Sequence, residues 1–506
     1  MLTRLKVTGF KNLVDVDVRF GPFTCIAGAN GVGKSNLFDA IRFLAMLADH
    51  PVMEAALSVR DEQPRRRDGT QNAGGELEGL FHRSGDTRAD TMRFEAEMVV
   101  PGTAVDDFGQ EGKAKTTFLR YTLELRRRRG TAAGEPEAGP VQVFTEELTY
   151  LPIGDLPRHV LFETSREWRT SVVRGACRSP LISTTEKDGK RLIRLHQDGT
   201  AGRTSDSAAE RLPRTILSRA SAGESKTALC VRREMASWLL LQLEPSSLRR
   251  PSAYRDPIHL SADGSNLAST LNHLALHNAF GQSPESVYCQ VANRLSELIG
   301  GVDTVSVDDD EKREILTVVL RDFDRTQYPA RALSDGTLRF LALTVLEMDV
   351  RHSGLLCLEE PENGIHPARL AAMLRLLQDI CTDTDYAVDQ DNPLRQVLVN
   401  THSPSVVALV PDDSLLLASA GGSSGVTFAC FDGTWRAKQV PPPPVVAKGD
   451  LLPYLNPQGV ARAAAADTDE GLDYATPPRR SRPRRVMDRG DLTPFFPGTA
   501  LWVAEK

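Results

Sequence analysis

The stretch "FTCIAGANGVGKSNLFDAIRFL", Phe23 to Leu44, decides the fold class. Its first five residues are almost all apolar, the composition of a parallel strand buried on both faces. Gly28, Gly33, Lys34 and Ser35 then satisfy the spacing G-x-x-x-x-G-K-[ST]. Glycines let the backbone turn so that successive N–H groups face a phosphate. Lys34 would reach the β- and γ-phosphates, and the Ser35 hydroxyl would bind Mg²⁺. From Asn36 the period becomes helical, with Leu37, Ile41, Leu44 and Ala48 on one face. A helix starting there adds its positive dipole end. Strand, glycine turn and amphipathic helix in this order are the context that a phosphate loop requires and a plain glycine turn does not. The expected nucleotide-binding set is Asn30, Gly31, Gly33, Lys34, Ser35 and Asn36.

A second stretch, "LCLEEPENGIHP" from Leu356 to Pro367, sets Glu359, Glu360 and Glu362 directly after an apolar run. Alone, an acidic pair after a strand reads as a solvated loop. Beside a phosphate loop it reads as the strand whose terminal acid holds Mg²⁺ in P-loop ATPases. Ligands of open α/β sheets bind at the carboxyl ends of strands, where these acids emerge. Glu359 is then the metal-side acid and Glu360 the catalytic base that polarises the attacking water, with Lys34 as a further catalytic residue. In "ALSDGTLRFLAL", Ser334 and Gly336 precede a helix with Leu338, Leu341, Val345 and Met348 on one face. A Ser hydroxyl and free N–H groups at a helix start form an anion site, although the same residues would serve as an ordinary N-cap. "QVLVNTHSP" is another apolar strand, ending in His402, which could bind or sense the γ-phosphate.

The chain has 506 residues, enough for two or three domains. Apolar content of 41% and charged content of 25% are those of an ordinary globular protein. A net charge of −6 offers no global attraction to DNA or to an anionic membrane. Seven scattered cysteines without a C-x-x-C pair suggest neither a disulfide framework nor a zinc site. No apolar run approaches the roughly 18–20 residues of a membrane span, and strand-like sequence begins at once. A cytoplasmic protein without membrane contact is expected.

Along the chain, "LTRLKV" and "VDVDVRF" read as strands, as do "FEAEMVV" and "FLRYTLELRR". Residues 56–80 and 126–140 read as loops. Met235–Leu243 and Leu267–His277 read as helices. No heptad pattern persists, which argues against a coiled-coil arm. The expected division is 1–145 for the first part of an ATPase head, 146–330 for an inserted middle lobe, and 331–435 for the second part of the head. Residues 436–506 form a Pro/Arg-rich tail, expected to be partly disordered.

Phosphate loop, Ser-x-Gly helix start, acid strand and histidine strand occur in one order. In these features the chain resembles the ABC-type ATPases, within them the soluble group of RecF, SMC heads and OLD-family proteins. It looks most like AAA-family ATPases of bacterial defence operons. "LTRLKVTGFKNLVDVDVRFGPFTCIAGANGVGKSNLFDAIRFL", "LSDGTLRFLAL", "CLEEPENGIHP", "NTHSP" and "DGSNLASTLNHL" at 263–274 carry the likeness, over about residues 1–420. It implies an α/β head, a mixed sheet with helices on both faces, carrying a large α+β or helical insertion between phosphate loop and signature. It also implies ATP and Mg²⁺ as ligands, and a homodimer or higher homo-oligomer joined through the heads. Ser334, Asp335 and Gly336 would then act in trans on the other subunit's nucleotide, with Asn363–His366 crossing the interface.

Asp335 and Thr337 stand where transporter domains carry Gly and Gln, and the acid strand ends Glu–Glu rather than Asp–Glu. No glutamine-loop residue is placed, since Gln63 and Gln71 lie in low-complexity sequence. OLD nucleases carry a Toprim nuclease after the ATPase; here about 100 residues follow His402 without its acidic strand ends. The expectation is an ATP-driven switch or sensor of an anti-phage defence system, without intrinsic nuclease activity, controlling an operon-encoded effector that could be a nuclease. The alternative is a RecF- or SMC-like ATPase that binds DNA itself. Arginine runs at 65–67, 126–129 and 477–485 could contact phosphates, but no aromatic residues are interleaved for base stacking.

Overall fold

A computed structural model of the chain describes residues 1–59, 77–128, 141–175, 179–198, 205–277, 281–422 and 425–447. Phe23–Ala27, the strand before the phosphate loop, is wholly buried and lies at the centre of a seven-stranded sheet. Arg395–Thr401 and Leu415–Ala420 flank it, both parallel to it. The acid strand Gly354–Glu359 runs parallel beside Arg395–Thr401. Leu239–Leu241 completes the row, parallel to the acid strand. On the far side Val426–Phe431 returns antiparallel, so the sheet is mixed.

A second sheet of eight antiparallel strands contains Leu2–Phe10, Leu13–Arg19, Thr91–Val99, Phe118–Arg127 and Val141–Tyr150, and continues to Ser205–Ala208. In the edge strand Leu13–Arg19, Val16 and Val18 are buried and Asp15 is exposed as the alternation expects, whereas Arg19 is buried too, its guanidinium held by His159 O at 2.6 Å and Glu97 at 3.6 Å. Helix Lys34–Leu47 is apolar on more than one side because it packs between the two sheets. Phe43 meets Phe10 and Phe94 of the antiparallel sheet at ring separations of 5.9 and 5.7 Å. Gln396, buried in the histidine strand, ties the layers directly. It accepts from Leu2 N at 2.8 Å and donates to Leu2 O and Gly21 O at 2.8 and 2.9 Å.

The other face of the parallel sheet is covered by helices Asp335–Met348 and Leu370–Ile380, with Leu267–Leu276 and Pro284–Ile299 packed in the same core. The α/β class is therefore as expected: a mixed sheet with helices on both faces and a large insertion between Ser35 and Ser334. Arg294 anchors that insertion, paired with Glu297, Glu347 and Asp379 at 2.6, 2.9 and 2.7 Å. A small sheet of Val302–Asp310 and Ile315–Asp322 stands beside it.

The structure departs from the sequence reading in three places. Strand Val141–Tyr150 spans residue 145, where an edge was expected, and is paired along its length with Phe118–Arg127. Backbone pairing therefore carries the antiparallel sheet into the expected middle lobe. The apolar run Met235–Leu243 is not one helix. The helix Lys226–Ala236 stops, and Leu239–Leu241 extends along the acid strand. Three leucines satisfy either period, and sheet pairing decides. Residues 52–58 form a short helix that enters the expected loop 56–80. Gln63, Gln71, the runs at 65–67 and 477–485, and the tail from 448 lie outside the described residues. Among the described residues no helix is long and apolar enough to cross a membrane, and the described cysteines are free.

Candidate functional site

The carboxyl ends of the parallel strands open into a cleft of about 900 Å³. Asn30, Gly31, Gly33, Lys34, Ser35, Asn36, Glu359 and Glu360 all line it. The phosphate loop is shaped by left-handed glycines: φ is +78° at Gly31 and +106° at Gly33. Nothing stands within 4 Å of a Cβ built on Gly31, so the backbone there faces open space. A Cβ on Gly33 would lie 1.9 Å from the Asn12 amide nitrogen. That amide comes from the turn between the first two strands and braces the loop, donating to Val32 O at 3.0 Å and accepting from Asn36 Nδ2 at 2.9 Å. Helix Lys34–Leu47 begins two residues before the expected start.

Lys34 is buried, and its ammonium donates to Gly28 O and Ala29 O at 2.8 and 2.9 Å. Burial lowers its pKa, against the opposing pull of the Glu360, Glu362 and Glu359 carboxylates. Glu359 ends the acid strand, and Asn400, its register neighbour, donates to its carboxylate at 3.3 Å. Glu360 takes a left-handed backbone, φ 45°, a conformation costly for a residue with a Cβ. The turn lets its N–H donate to Asn400 O at 3.0 Å while the side chain swings toward the cleft. One carboxylate oxygen lies 2.6 Å from His402 Nδ1, and the other accepts from Asn363 at 2.9 Å. Burial would raise the Glu360 pKa, but the Asn363 and His402 hydrogen bonds and the charges of His402 and Lys34 outweigh it and hold the group below the usual range. Glu362 is the opposite case. Burial pushes its pKa up despite a hydrogen bond from Thr401, and its second oxygen is buried with no partner.

Ser334, Asp335, Gly336 and His402 do not line the cleft. His402 reaches it only through Glu360. Ser334 and Asp335 are exposed on the surface. Ser334 does cap helix Asp335–Met348, accepting from Thr337 N at 3.2 Å. A Cβ on Gly336 would meet Gly364 O at 2.9 Å, so the helix start packs against the turn that follows the acids.

Sequence reading missed Asn12, Gln242, Glu244, Arg339 and Asn400, all of which line the cleft. Gln242 emerges at the carboxyl end of Leu239–Leu241, one strand away from Glu359. Its signal was the apolar run "WLLLQLE", read with a helical period. Of the arginine run at 126–129, the three described members make contacts within the fold, and Arg129 lies outside the described residues. Arg126 stacks on Phe144 at 3.3 Å, Arg127 lies 3.9 Å from Glu78, and Arg128 donates to Glu210 O.

The residues suit a magnesium nucleotide. Open glycine backbone and a buried ammonium face acids at the end of the next strand but one. Among the described residues no group of three or more His, Cys, Asp or Glu side chains is arranged to hold a metal by itself. A magnesium ion at Ser35 and Glu359 would thus take most of its shell from phosphate oxygens and water, its usual habit.

A protein-family profile described as "AAA domain, putative AbiEii toxin, Type IV TA system" matches residues 23–132 and 212–408. The chain belongs to that family. Curated relatives include "DNA replication and repair protein RecF" of Paenarthrobacter aurescens (strain TC1), 37% identical over 103 residues, which are 17% of this chain and 26% of that protein. RecF of Magnetococcus marinus is 33% identical over 113 residues, 22% of this chain and 23% of that protein. The chain thus matches about a quarter of the length of these relatives. Among solved structures, "Crystal structure of the SmcHead bound to the C-winged helix domain of ScpA" is 13% identical with a TM-score of 0.44, covering 84% of this chain and 96% of that one. "SMC head domain from Thermotoga maritima" is 12% identical with a TM-score of 0.37, covering 85% and 98%.

Proposed function

We propose, with membership of this family as the premise, that the protein binds and hydrolyses ATP with Mg²⁺ as the switch subunit of a bacterial defence system. The observation that carries the reading is the convergence of Lys34, Ser35, Glu359 and Glu360 on one cleft. Asn30, Gly31, Gly33, Lys34, Ser35 and Asn36 hold the phosphates, and Lys34 leaves the loop carbonyls for the γ-phosphate. Ser35 and Glu359 hold the metal, which offsets phosphate charge. Glu360, ionised at neutral pH and steadied by Asn363 and His402, accepts the proton of the attacking water. Gln242 takes the glutamine-loop place. Ser334 and Asp335, exposed and outside the lining of their own cleft, and the half-buried Gly336 beside them serve a second head, so hydrolysis needs a dimer of heads. Any nuclease activity comes from a separate effector, and the family description supports the defence setting.

The test is subunit mixing. Ser334→Arg and Lys34→Ala proteins should each be inactive, while their mixture regains part of the ATPase activity, because one composite site of the heterodimer carries neither change. Full activity of folded Ser334→Arg as a monomer would place the whole site in one chain.

The matches to RecF favour a second reading, an ATPase that binds DNA directly. Salt-dependent DNA binding by the isolated protein would select it. Co-purification with an operon neighbour, without DNA binding, would select the first.

A further inference from the structure

The exposed turn at Ser334 is not held by its own helix alone. Arg249 donates from Nη2 to Leu333 O at 3.1 Å and pairs through the same nitrogen with the Asp335 carboxylate. Its two partners are the residues on either side of Ser334. The two N–H groups of one guanidinium nitrogen therefore fix the backbone entering the turn and the first helical residue leaving it, by charge-assisted bonds.

Arg249 is itself well anchored. It ends the short helical turn Pro245–Leu248, which follows Gln242 and Glu244 directly. Gln242 N donates to Ala262 O at 2.8 Å and Glu244 N to Asp263 O at 3.2 Å. Leu243 and Leu248 are buried, and both press on Gly264, where a Cβ would come 2.5 Å from Leu248. The segment from the cleft floor to Arg249 is thus a braced unit, with one end in the cleft and the other on the Ser334 turn. The side chains of Arg249 and Asp335 are 31% and 49% exposed, too open for the pair to act as a core staple.

We propose that Arg249 is a positioning residue for hydrolysis in trans: it sets the Ser334 turn for the second head and leaves its own chain's phosphate loop untouched. The inference rests on the proposed composite site. Arg249→Ala should bind ATP in its own cleft as wild type does, while turnover falls at least about tenfold. Mixed with Lys34→Ala it should regain activity, since one composite site then has an intact loop and an intact turn. Mixed with Ser334→Arg it should not, since both lesions lie on the turn side. The double change Arg249→Asp with Asp335→Arg should restore part of the turnover. If the alanine variant does not fold, Arg249→Gln repeats the series.

Wild-type turnover in Arg249→Ala overturns the inference alone, as does rescue by Ser334→Arg in place of Lys34→Ala. Failure of the Ser334→Arg and Lys34→Ala pair to recover activity, with both proteins folded, overturns the composite site and this inference with it.

Discussion

His402 Nδ1 and Glu360 Oε1 stand 2.6 Å apart across 42 residues of sequence. The contact joins the end of the histidine strand to the end of the acid strand, and Asn363 holds the other oxygen of the same carboxylate. Each oxygen keeps a lone pair free for water. Glu360 is therefore oriented from two sides and still able to act as a base.

Glu360→Gln keeps the shape and loses the base. ATP should bind and persist while turnover falls by at least about 100-fold. Lys34→Ala removes the charge that meets the phosphates and should weaken binding as well as turnover. Equilibrium nucleotide binding and single-turnover hydrolysis, measured on both proteins, separate the two roles. Wild-type hydrolysis by Glu360→Gln would remove Glu360 from the chemistry.

Proton linkage at Glu360 has a definite sign. A carboxyl held below its ordinary range stays ionised through the neutral region, so the rate should show no carboxyl limb above about pH 5. His402→Ala removes a bond that lowers this pKa. The acid limb of kcat should then move upward, and an unmoved limb would mean that His402 does not act through Glu360.

Asn12→Ala leaves Val32 O and Asn36 without their bridge. Two lost hydrogen bonds of about 1 kcal/mol each should weaken nucleotide binding by up to about thirtyfold. Titration with a fluorescent ATP analogue reads this directly. Gly33→Ala should do worse, because its φ of +106° and its contact with Asn12 both exclude a methyl group.

Far from the cleft, Glu146 is fully buried and accepts from Ile216 N, Leu217 N and Tyr121 Oη at 2.7, 2.8 and 3.2 Å. Burial raises its pKa from 4.5 to about 7. The folded state thus holds this proton more tightly than the unfolded chain. The stability it contributes is complete below pH 4.5 and lost as pH rises through 7. The loss is about 3 kcal/mol at most. The stability of Glu146→Gln relative to wild type should therefore rise between pH 4.5 and 7.5. Chemical denaturation at several pH values checks it, and a pH-independent difference would assign the proton elsewhere.

Much of the α/β fold around the cleft was legible in the sequence because its signals are local. The turn from Gly28 to Ser35 is set by consecutive residues, so its glycines and the helix that follows are declared locally. The acids at Glu359 and Glu360 follow their own strand, and the valines of Leu13–Arg19 carry the period of a half-buried edge. Tertiary structure decided what depends on partners distant in sequence. Leu239–Leu241 is a strand only because the acid strand offers unpaired backbone, and that pairing delivers Gln242 to the cleft. Asn12 and Asn400 acquire their roles from the loop and the acids they touch, which neither residue's neighbours announce. The antiparallel sheet ran through residue 145 because strand pairing, not composition, sets its extent. Ser334 reads as a helix cap in the sequence and is one; that it faces outward, gripped on both sides by Arg249, follows from how the insertion packs, and no local pattern encodes that.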